Sequence, residues 1–236
     1  ITSRLSPALK KLGYGTFSDF VNHLLDKKEN DEVTLVLNKL TTNYTFFMRE
    51  KEHLDYFCNN IIPEIVRRHE RDKTLAIWSA GCSSGEEPYN ITMFLYDYLG
   101  SRAKDWDTRI LATDISAQAL ASARRGTYNL PDTIPADWKR KYFTPGRDGT
   151  HTVTPAVKDN VIFQTFNLMD PIKFRRKFDV IFCRNVMIYF DQPTKDALVR
   201  RFYDATVPSG YLLISASENL SQNAPYRRLA TATFQK

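Results

Sequence analysis

An apolar run, a small-residue loop and an acidic helix start follow one another in the first half of the chain, and they constrain its fold more than any other stretch. Residues 75–80 (LAIWSA) predict a buried strand, and residues 81–85 (GCSSG) predict a tight loop. The next helix opens on Glu86, Glu87 and Pro88, because acids suit its positive end and proline suits its first turn. Glycines in such a loop let the backbone pass close to a ligand. The stretch therefore predicts a nucleotide-type pocket at the end of a parallel strand.

The charges of this loop determine which nucleotide-type ligand is compatible with it. A pyrophosphate binds bare backbone amides at a helix start, whereas Glu86 and Glu87 occupy that place here. Two carboxylates repel phosphate and attract a cation. S-adenosylmethionine is compatible, because its sulfonium and amino groups are positive and it carries no phosphate; Gly81 would lie close to it. The alternative is an acidic first helical turn that binds no ligand.

Length and composition limit the remaining possibilities. The 236 residues allow one good-sized α/β domain with a small appendage, and 42% hydrophobic and 25% charged residues are ordinary for a globular protein. No apolar run approaches the roughly 20 residues that span a bilayer, and the start shows no signal-peptide pattern. We therefore expect a cytoplasmic protein without direct membrane insertion. The net charge of +6 suggests an acidic partner and is a weak signal for nucleic acid.

The residue types that bind metals are too scattered to form a site. Cys58, Cys82 and Cys183 match no zinc spacing, so we expect free thiols in a reducing compartment. The four histidines form no ligand cluster either. The sequence therefore predicts no metal.

The residues before the first strand divide into two parts. Residues 1–42 show three helical apolar stripes with no strand between them, which predicts a small all-helical domain. Because the chain begins at Ile1 rather than Met, we expect this domain to be truncated. Residues 43–73 are predicted to form a linker and a helix that caps the sheet. The dense polar set of the linker is Asn43, Thr45 and Arg49.

A second predicted strand, residues 108–113, ends in Asp114. In nucleotide-binding folds an acid at this place hydrogen-bonds the ribose hydroxyls. The alternative is that Asp114 only helps to cap the following helix, which begins at Ser116. Its position after the glycine loop and the second strand favours the ligand role.

Two further predicted strands, residues 161–166 and 178–183, also end in polar residues. The second is nearly all apolar, as in the middle of a parallel sheet, and an asparagine after the first could pair with an adenine edge. In a doubly wound sheet ligands bind at the carboxyl ends of the strands, so we expect all these ends to line one pocket. The residues concerned are Asn167, Leu168, Arg184 and Asn185.

The remaining patterns complete the prediction of an α/β fold. An antiparallel β-insertion is predicted at about 138–160, with a tight turn near Asp148-Gly149. Further along, the patterns predict a helix at 192–205, a turn at 208–210, a strand at 211–215 and one edge strand at 226–234.

The chain contains, in order, the segments TTNYTFFMRE, SAGCSSGEEPYN, LATDIS, NLMD and FDVIFCRNVMIYFD. These segments resemble the motifs of the CheR-type chemotaxis receptor methyltransferases, over nearly the whole chain. The resemblance implies a Rossmann-like class I methyltransferase domain at 74–236, a small helical N-terminal domain and an inserted β-subdomain. It also implies methyl transfer from S-adenosylmethionine to glutamate side chains in the cytoplasmic domain of chemoreceptors, in chemotactic adaptation, with adenosylhomocysteine as product.

The resemblance also implies roles for the pocket residues. Arg49 would bind the carboxylate of the cofactor, while Asn43 and Thr45 would reach over it. The amino group of the cofactor would lie on Glu87 or Glu86, and this choice stays open. Asp114 would bind the ribose, Asn167 and Leu168 the adenine, Arg184 and Asn185 would line the pocket, and Tyr189 would lie beside the methyl group and the incoming carboxylate.

The expected reaction is an in-line displacement that needs no general base, because a glutamate carboxylate with a pKa near 4.3 is ionised at neutral pH. Arg49 and Tyr189 are the catalytic candidates, since both would orient the reactants. We expect chemoreceptors as partners, no nucleic acid, and a monomer. Enzymes that methylate amino groups of nucleic acid present Asn/Asp-Pro-Pro-aromatic after the fourth strand, whereas this chain has Arg184-Asn185-Val186-Met187. A second alternative is a non-catalytic methyltransferase-like module for cofactor sensing or docking.

Overall fold

The computed structural model describes residues 14–16, 18, 19, 22 and 43–236. The predicted helical domain at 1–42 lies almost entirely outside the described residues, and its truncation stays a prediction. The central sheet and all the predicted pocket residues lie within 43–236.

A mostly parallel sheet of seven strands forms the centre of the described chain and confirms the α/β class. Numbered along the chain, the strands of the described residues are β1 (Ile77–Ala80), β2 (Ile110–Asp114), β3 (Thr127–Tyr128), β4 (Phe143–Pro145), β5 (His151–Val153), β6 (Val161–Thr165), β7 (Phe178–Cys183), β8 (Thr206–Ile214), β9 (Arg227–Ala230) and β10 (Thr233–Gln235). The strand order of the seven-stranded sheet is β6-β2-β1-β7-β8-β10-β9. The first five of the seven are parallel, and β10 runs antiparallel to both neighbours. The chain order reverses between β1 and β7, and such a switch point is where open α/β sheets bind ligands.

Helices cover both faces of this sheet, and their starts follow the sequence signals. The Ser116 hydroxyl accepts from Ala119 N at 3.1 Å, which confirms the predicted cap. The predicted helix before the sheet is interrupted by a π-helical turn at Phe57–Ile61. The α-helices are α1 (Lys51–Tyr56), α2 (Ile62–Arg68), α3 (Glu86–Leu99), α4 (Ala117–Arg125), α5 (Ala136–Tyr142), α6 (Pro155–Lys158) and α7 (Gln192–Ala205).

A second, antiparallel sheet of three strands, in the order β3-β5-β4, forms the predicted insertion. Its turn lies where the sequence indicated: Gly146 N donates to Thr150 O at 2.7 Å, and Gly149 has a φ of 79°. Strand β3 lies before the predicted bounds of 138–160, so the insertion begins earlier in the chain than expected. With only two residues, β3 has no periodicity that a sequence pattern could reveal.

Two predictions for the last third of the chain were wrong. Pro208-Ser209-Gly210 is not a turn but an irregular part of β8, where the pairing with β7 shifts register and Ser209 has a φ of 59°. A β-bulge and a turn use the same residue types, so the pattern could not separate them. The tail is not one edge strand but a hairpin of β9 and β10, whose turn has Ala232 at a φ of 52° instead of a glycine.

Successive residues of β1 pack on opposite faces of the sheet, so both faces are buried. Ile77 belongs to the apolar cluster that contains Phe57 and Phe182. Trp78 belongs to the other cluster, where its ring lies 5.4 Å from that of Phe202. None of the described helices has the length and apolar character needed to cross a bilayer.

Candidate active site

A cavity of about 670 Å³ lies over the carboxyl ends of β1, β2, β6 and β7, at the switch point of the sheet. Every residue predicted for the site lines this cavity except Glu86. The predicted residues that the fold brings together are Asn43, Thr45, Arg49, Gly81, Glu87, Asp114, Asn167, Leu168, Arg184, Asn185 and Tyr189.

The loop after β1 passes so close to its neighbours that a side chain at Gly81 does not fit. Gly81 has a φ of 87°, and a Cβ there would lie 2.4 Å from Val186 Cγ2. The amides of Gly81 and Cys82 both donate to Thr113 O, at 2.8 and 2.9 Å. The loop is therefore fixed to the end of β2 and presents its backbone to the cavity.

The two neighbouring acids at the start of α3 have different surroundings. Glu87 lines the cavity, where its carboxylate accepts from Ser79 Oγ at 2.7 Å and from Arg184 Nη1 at 3.0 Å. Glu86 is buried away from the cavity and accepts from Ser84 Oγ at 2.7 Å. Burial raises the pKa of Glu86. Of these two acids, only Glu87 therefore lines the cavity.

Asp114 is held by backbone amides of two loops. Its Oδ2 accepts from Ser83 N at 2.7 Å, and its Oδ1 accepts from Ser116 N at 2.8 Å. Burial nevertheless raises the pKa of Asp114. The side chain both supports the start of α4 and lines the cavity, so the capping role does not exclude a ligand role.

Arg184 lies in the wall between the loop after β7 and the linker. Besides Glu87, it donates through Nη2 to the Arg49 carbonyl, and its side chain is 3% exposed. Its buried Nε has no acceptor among the described residues. Arg184 therefore connects the loop after β7 to both Glu87 and the linker.

The linker at residues 43–50 forms the opposite wall. Met48 N donates to Asn90 Oδ1 at 2.7 Å, and Ser83 Oγ donates to Asn43 O at 2.9 Å. The guanidinium of Arg49 donates to Tyr44 O at 2.6 Å and lies 5.8 Å from the centre of the Tyr44 ring. The linker thus brings a cationic side chain to the cavity.

Sequence reasoning missed two residues that fix this wall, although both belong to the recognised segments. Glu50 ends TTNYTFFMRE, and its carboxylate contacts the loop after β7 and the end of β8. Asn90 ends SAGCSSGEEPYN and holds the amide of Met48. The only signal in the sequence was that each of the two segments ends in a polar residue. The partners of Glu50 and Asn90 are distant in sequence, so these contacts were not predictable.

The cavity is open to solvent beside Tyr189. This residue ends the short 3-10 helix Met187–Tyr189 and is 60% exposed. No histidine or lysine is among the described residues that line the cavity, and burial raises the pKa of the Cys82 thiol there. In the part of the chain that the structure describes, no group of three or more His, Cys, Asp or Glu residues could hold a metal ion.

Comparison with known proteins places this site in a family. Residues 43–235 match the family model described as "CheR methyltransferase, SAM binding domain". The chain is 39% identical to a chemotaxis protein methyltransferase of Borreliella burgdorferi, over 100% of this chain and 85% of the relative. It is 38% identical to chemotaxis protein methyltransferase 2 of Pseudomonas aeruginosa (93% and 78%) and 36% identical to the Escherichia coli chemotaxis protein methyltransferase (94% and 76%). The chain therefore belongs to the CheR family of S-adenosylmethionine-dependent methyltransferases.

Proposed function

We propose that the chain transfers a methyl group to glutamate side chains in the cytoplasmic domain of chemoreceptors, in chemotactic adaptation, and so forms glutamate methyl esters. The observation that carries this proposal is a cavity with two fixed carboxylates, Glu87 and Asp114, that opens to solvent beside Tyr189. Such a cavity attracts a cationic nucleoside without phosphate and admits a side chain of another protein. Similarity to chemotaxis protein methyltransferases supports chemoreceptors as substrates, and we infer a cytoplasmic location from this similarity.

The residues present fit S-adenosylmethionine. Glu87 would hold its amino group, because only Glu87 of the two acids lines the cavity. Arg49 would bind its carboxylate, because its guanidinium lines the cavity. When bound, S-adenosylmethionine supplies an activated methyl group. Asp114 would bind the ribose, Asn167 and Leu168 the adenine, and Asn43, Thr45, Gly81 and Asn185 would complete the wall.

For this reaction the protein has to position the two reactants, and it does not have to transfer a proton. The substrate carboxylate is ionised at neutral pH, so its oxygen could attack without a general base. S-adenosylmethionine would supply the methyl carbon, whose bond to sulfur would break, and the product would be adenosylhomocysteine. Arg49 would orient the two reactants by its charge, and Tyr189, at the open side, would orient the incoming carboxylate. Catalysis would therefore come from proximity and from exclusion of water.

The domain boundaries belong to the same proposal. We assign residues 1–42 to a helical N-terminal domain, 43–73 to the linker and capping helix, and 74–236 to the methyltransferase domain with its β-insertion. The linker supplies one wall of the cavity, including Asn43, Thr45 and Arg49, and the methyltransferase domain forms the other. We expect a monomer that acts on chemoreceptors and not on nucleic acid.

The test is methyl transfer to a purified cytoplasmic receptor fragment with S-adenosylmethionine labelled in the methyl group. We expect label on the fragment that alkali releases as methanol, since esters hydrolyse in base and methylated amines do not. The matched control is the same fragment with its acceptor glutamates changed to glutamine, which should take up no label. Alkali-stable label, or label on added nucleic acid, would refute the proposed acceptor. Tight binding of adenosylhomocysteine without any transfer would instead favour the non-catalytic sensing or docking module.

A further inference from the structure

Glu50 has no part in the proposed chemistry. Its carboxylate nevertheless contacts Asn185, Ser215, Arg184 and His53 beside the cavity. We infer that Glu50 is a positioning residue that prepares the cavity for the amino-acid part of the cofactor, by sharing the charge of Arg184. This inference rests on the proposed cofactor site and adds a residue that does not itself line the cavity.

The carboxylate of Glu50 joins three segments of the chain. Its Oε1 accepts from Ser215 Oγ at 2.8 Å and from Asn185 Nδ2 at 3.1 Å, so it links the linker to the end of β8 and to the loop after β7. Its Oε2 lies 3.4 Å from Arg184 Nη2 and 2.9 Å from His53 Nδ1. No other linker side chain is described with contacts to both of these loops.

The contacts of Glu50 hold two residues in an unfavourable backbone conformation. Glu50 has a φ of 52° and Asn185 has a φ of 59°, both in the left-handed region that favours glycine. The two side chains hydrogen-bond to each other at 3.1 Å. Strained residues of this kind persist where the surroundings fix them, and they concentrate at functional sites.

The charges explain what Glu50 does for the cavity. Arg184 lies between two carboxylates, with Glu87 at 3.0 Å on the cavity side and Glu50 at 3.4 Å on the other. Because Glu50 offsets part of the positive charge, Glu87 keeps negative potential toward the cavity and can bind an ammonium group. Without the charge of Glu50, Arg184 would be neutralised by Glu87 alone, and Glu87 would attract the ligand less.

The test compares two ligands in the variant Glu50→Gln, which keeps the size and one acceptor oxygen of the side chain. Adenosylhomocysteine carries the amino-acid part, and methylthioadenosine has the same nucleoside without it. In calorimetry we expect the dissociation constant for adenosylhomocysteine to rise about tenfold, and that for methylthioadenosine to change less than about twofold. Activity should show a raised KM for S-adenosylmethionine with kcat within about threefold of wild type.

Glu64→Gln is the matched control. Glu64 also ties the helical region before the sheet to β8, through Tyr211, and pairs with Arg68 at 2.7 Å, but it does not line the cavity. It should lower the thermal midpoint without changing the ratio of the two dissociation constants. If Glu50→Gln bound both ligands as wild type does, or lost both equally, the inference would be wrong.

Ser215→Ala is the second variant, and it decides the question if Glu50→Gln does not fold. It removes one donor to Glu50 and leaves both charges in place. We expect a loss of about two- to fivefold for adenosylhomocysteine and none for methylthioadenosine; equal binding of both ligands, as in wild type, would overturn the inference. A wild-type protein that binds adenosylhomocysteine but methylates no glutamate would contradict the proposed function, and the comparison of the two ligands would stand.

Discussion

The cavity has two walls that are built in different ways. The sheet wall, residues 81–87 with Asp114, follows from one strand–loop–helix unit and its neighbouring strand. Its hydrogen bonds run mainly between backbone atoms or to backbone amides, such as those of Gly81 with Thr113 and of Asp114 with Ser116. A wall of this kind forms when the β1–α3 unit folds beside β2.

The linker wall, residues 43–50, has no regular secondary structure before α1 and is held by side chains from distant parts of the chain. Asn90 binds the amide of Met48 at 2.7 Å, Arg184 binds the carbonyl of Arg49, and Ser215 binds Glu50 at 2.8 Å. The site therefore depends on backbone geometry on one side and on a charged side-chain network on the other.

The largest expected effect separates the two acids of the sheet wall. Glu87→Gln removes one of the two carboxylates that line the cavity and leaves the buried Arg184 with a weaker partner. We expect the dissociation constant for adenosylhomocysteine to rise on the order of 100-fold, as when a charged hydrogen-bond partner is lost. Calorimetry measures this value directly.

Glu86→Gln is the control for that experiment, because Glu86 is the adjacent acid, is buried, and does not line the cavity. The dissociation constant of this variant for adenosylhomocysteine should stay within about threefold of the wild-type value. Equal losses in both variants would show that the helix start, and not one carboxylate, binds the ligand.

The next effect tests whether backbone geometry fixes the sheet wall. Gly81→Ala adds a Cβ within 2.4 Å of Val186 Cγ2, at a φ of 87°. We expect the free energy of unfolding to fall by about 1–3 kcal/mol, from backbone strain and the clash together. Urea denaturation followed by circular dichroism measures this change.

The double variant Gly81→Ala, Val186→Ala separates the two causes. It removes the methyl group that clashes, so it should recover part of the loss and leave the strain of the positive φ. Recovery to the stability of Val186→Ala alone would mean that backbone strain contributes nothing.

The sheet wall was more predictable from the sequence than the linker wall. The strand at Ile77–Ala80, the helix at Glu86–Leu99 and the cap at Ser116 were predicted because their signals lie within a few residues of one another. Which of Glu86 and Glu87 lines the cavity was not predicted, because the surroundings of Glu87 depend on Arg184, which lies 97 positions away. The role of Glu50 depends on Ser215, which is 165 positions away.

A smaller effect concerns the open side of the cavity. Tyr189→Phe removes only a hydroxyl from a side chain that is 60% exposed, so the fold and cofactor affinity should not change. If the hydroxyl orients the substrate carboxylate, kcat should fall about tenfold, the effect of one lost hydrogen bond of about 1.4 kcal/mol. Methyl transfer at saturating S-adenosylmethionine measures it, and unchanged turnover would remove Tyr189 from the mechanism.

The smallest effect tests whether charge holds the linker wall. Burial opposes ionisation of Glu50, but contacts with His53, Ser215, Arg184 and Asn185 outweigh it and hold the pKa of the carboxyl below its usual range. On acidification the unfolded chain therefore takes up a proton at this residue before the folded protein does, and stability is lost as the pH falls. Above about pH 5.5 both states are ionised here, and the contribution is constant.

The measurement is the difference in free energy of unfolding between wild type and Glu50→Gln, from urea denaturation at several pH values. The other carboxylates are present in both proteins, so those with raised pKa values, such as Glu86 and Asp114, contribute equally and cancel. We expect the difference to shrink between pH 6 and pH 4 by on the order of 1 kcal/mol, since water screens a side chain at this depth. A difference that is independent of pH would mean that packing and neutral hydrogen bonds, and not the charge of Glu50, hold the linker in place.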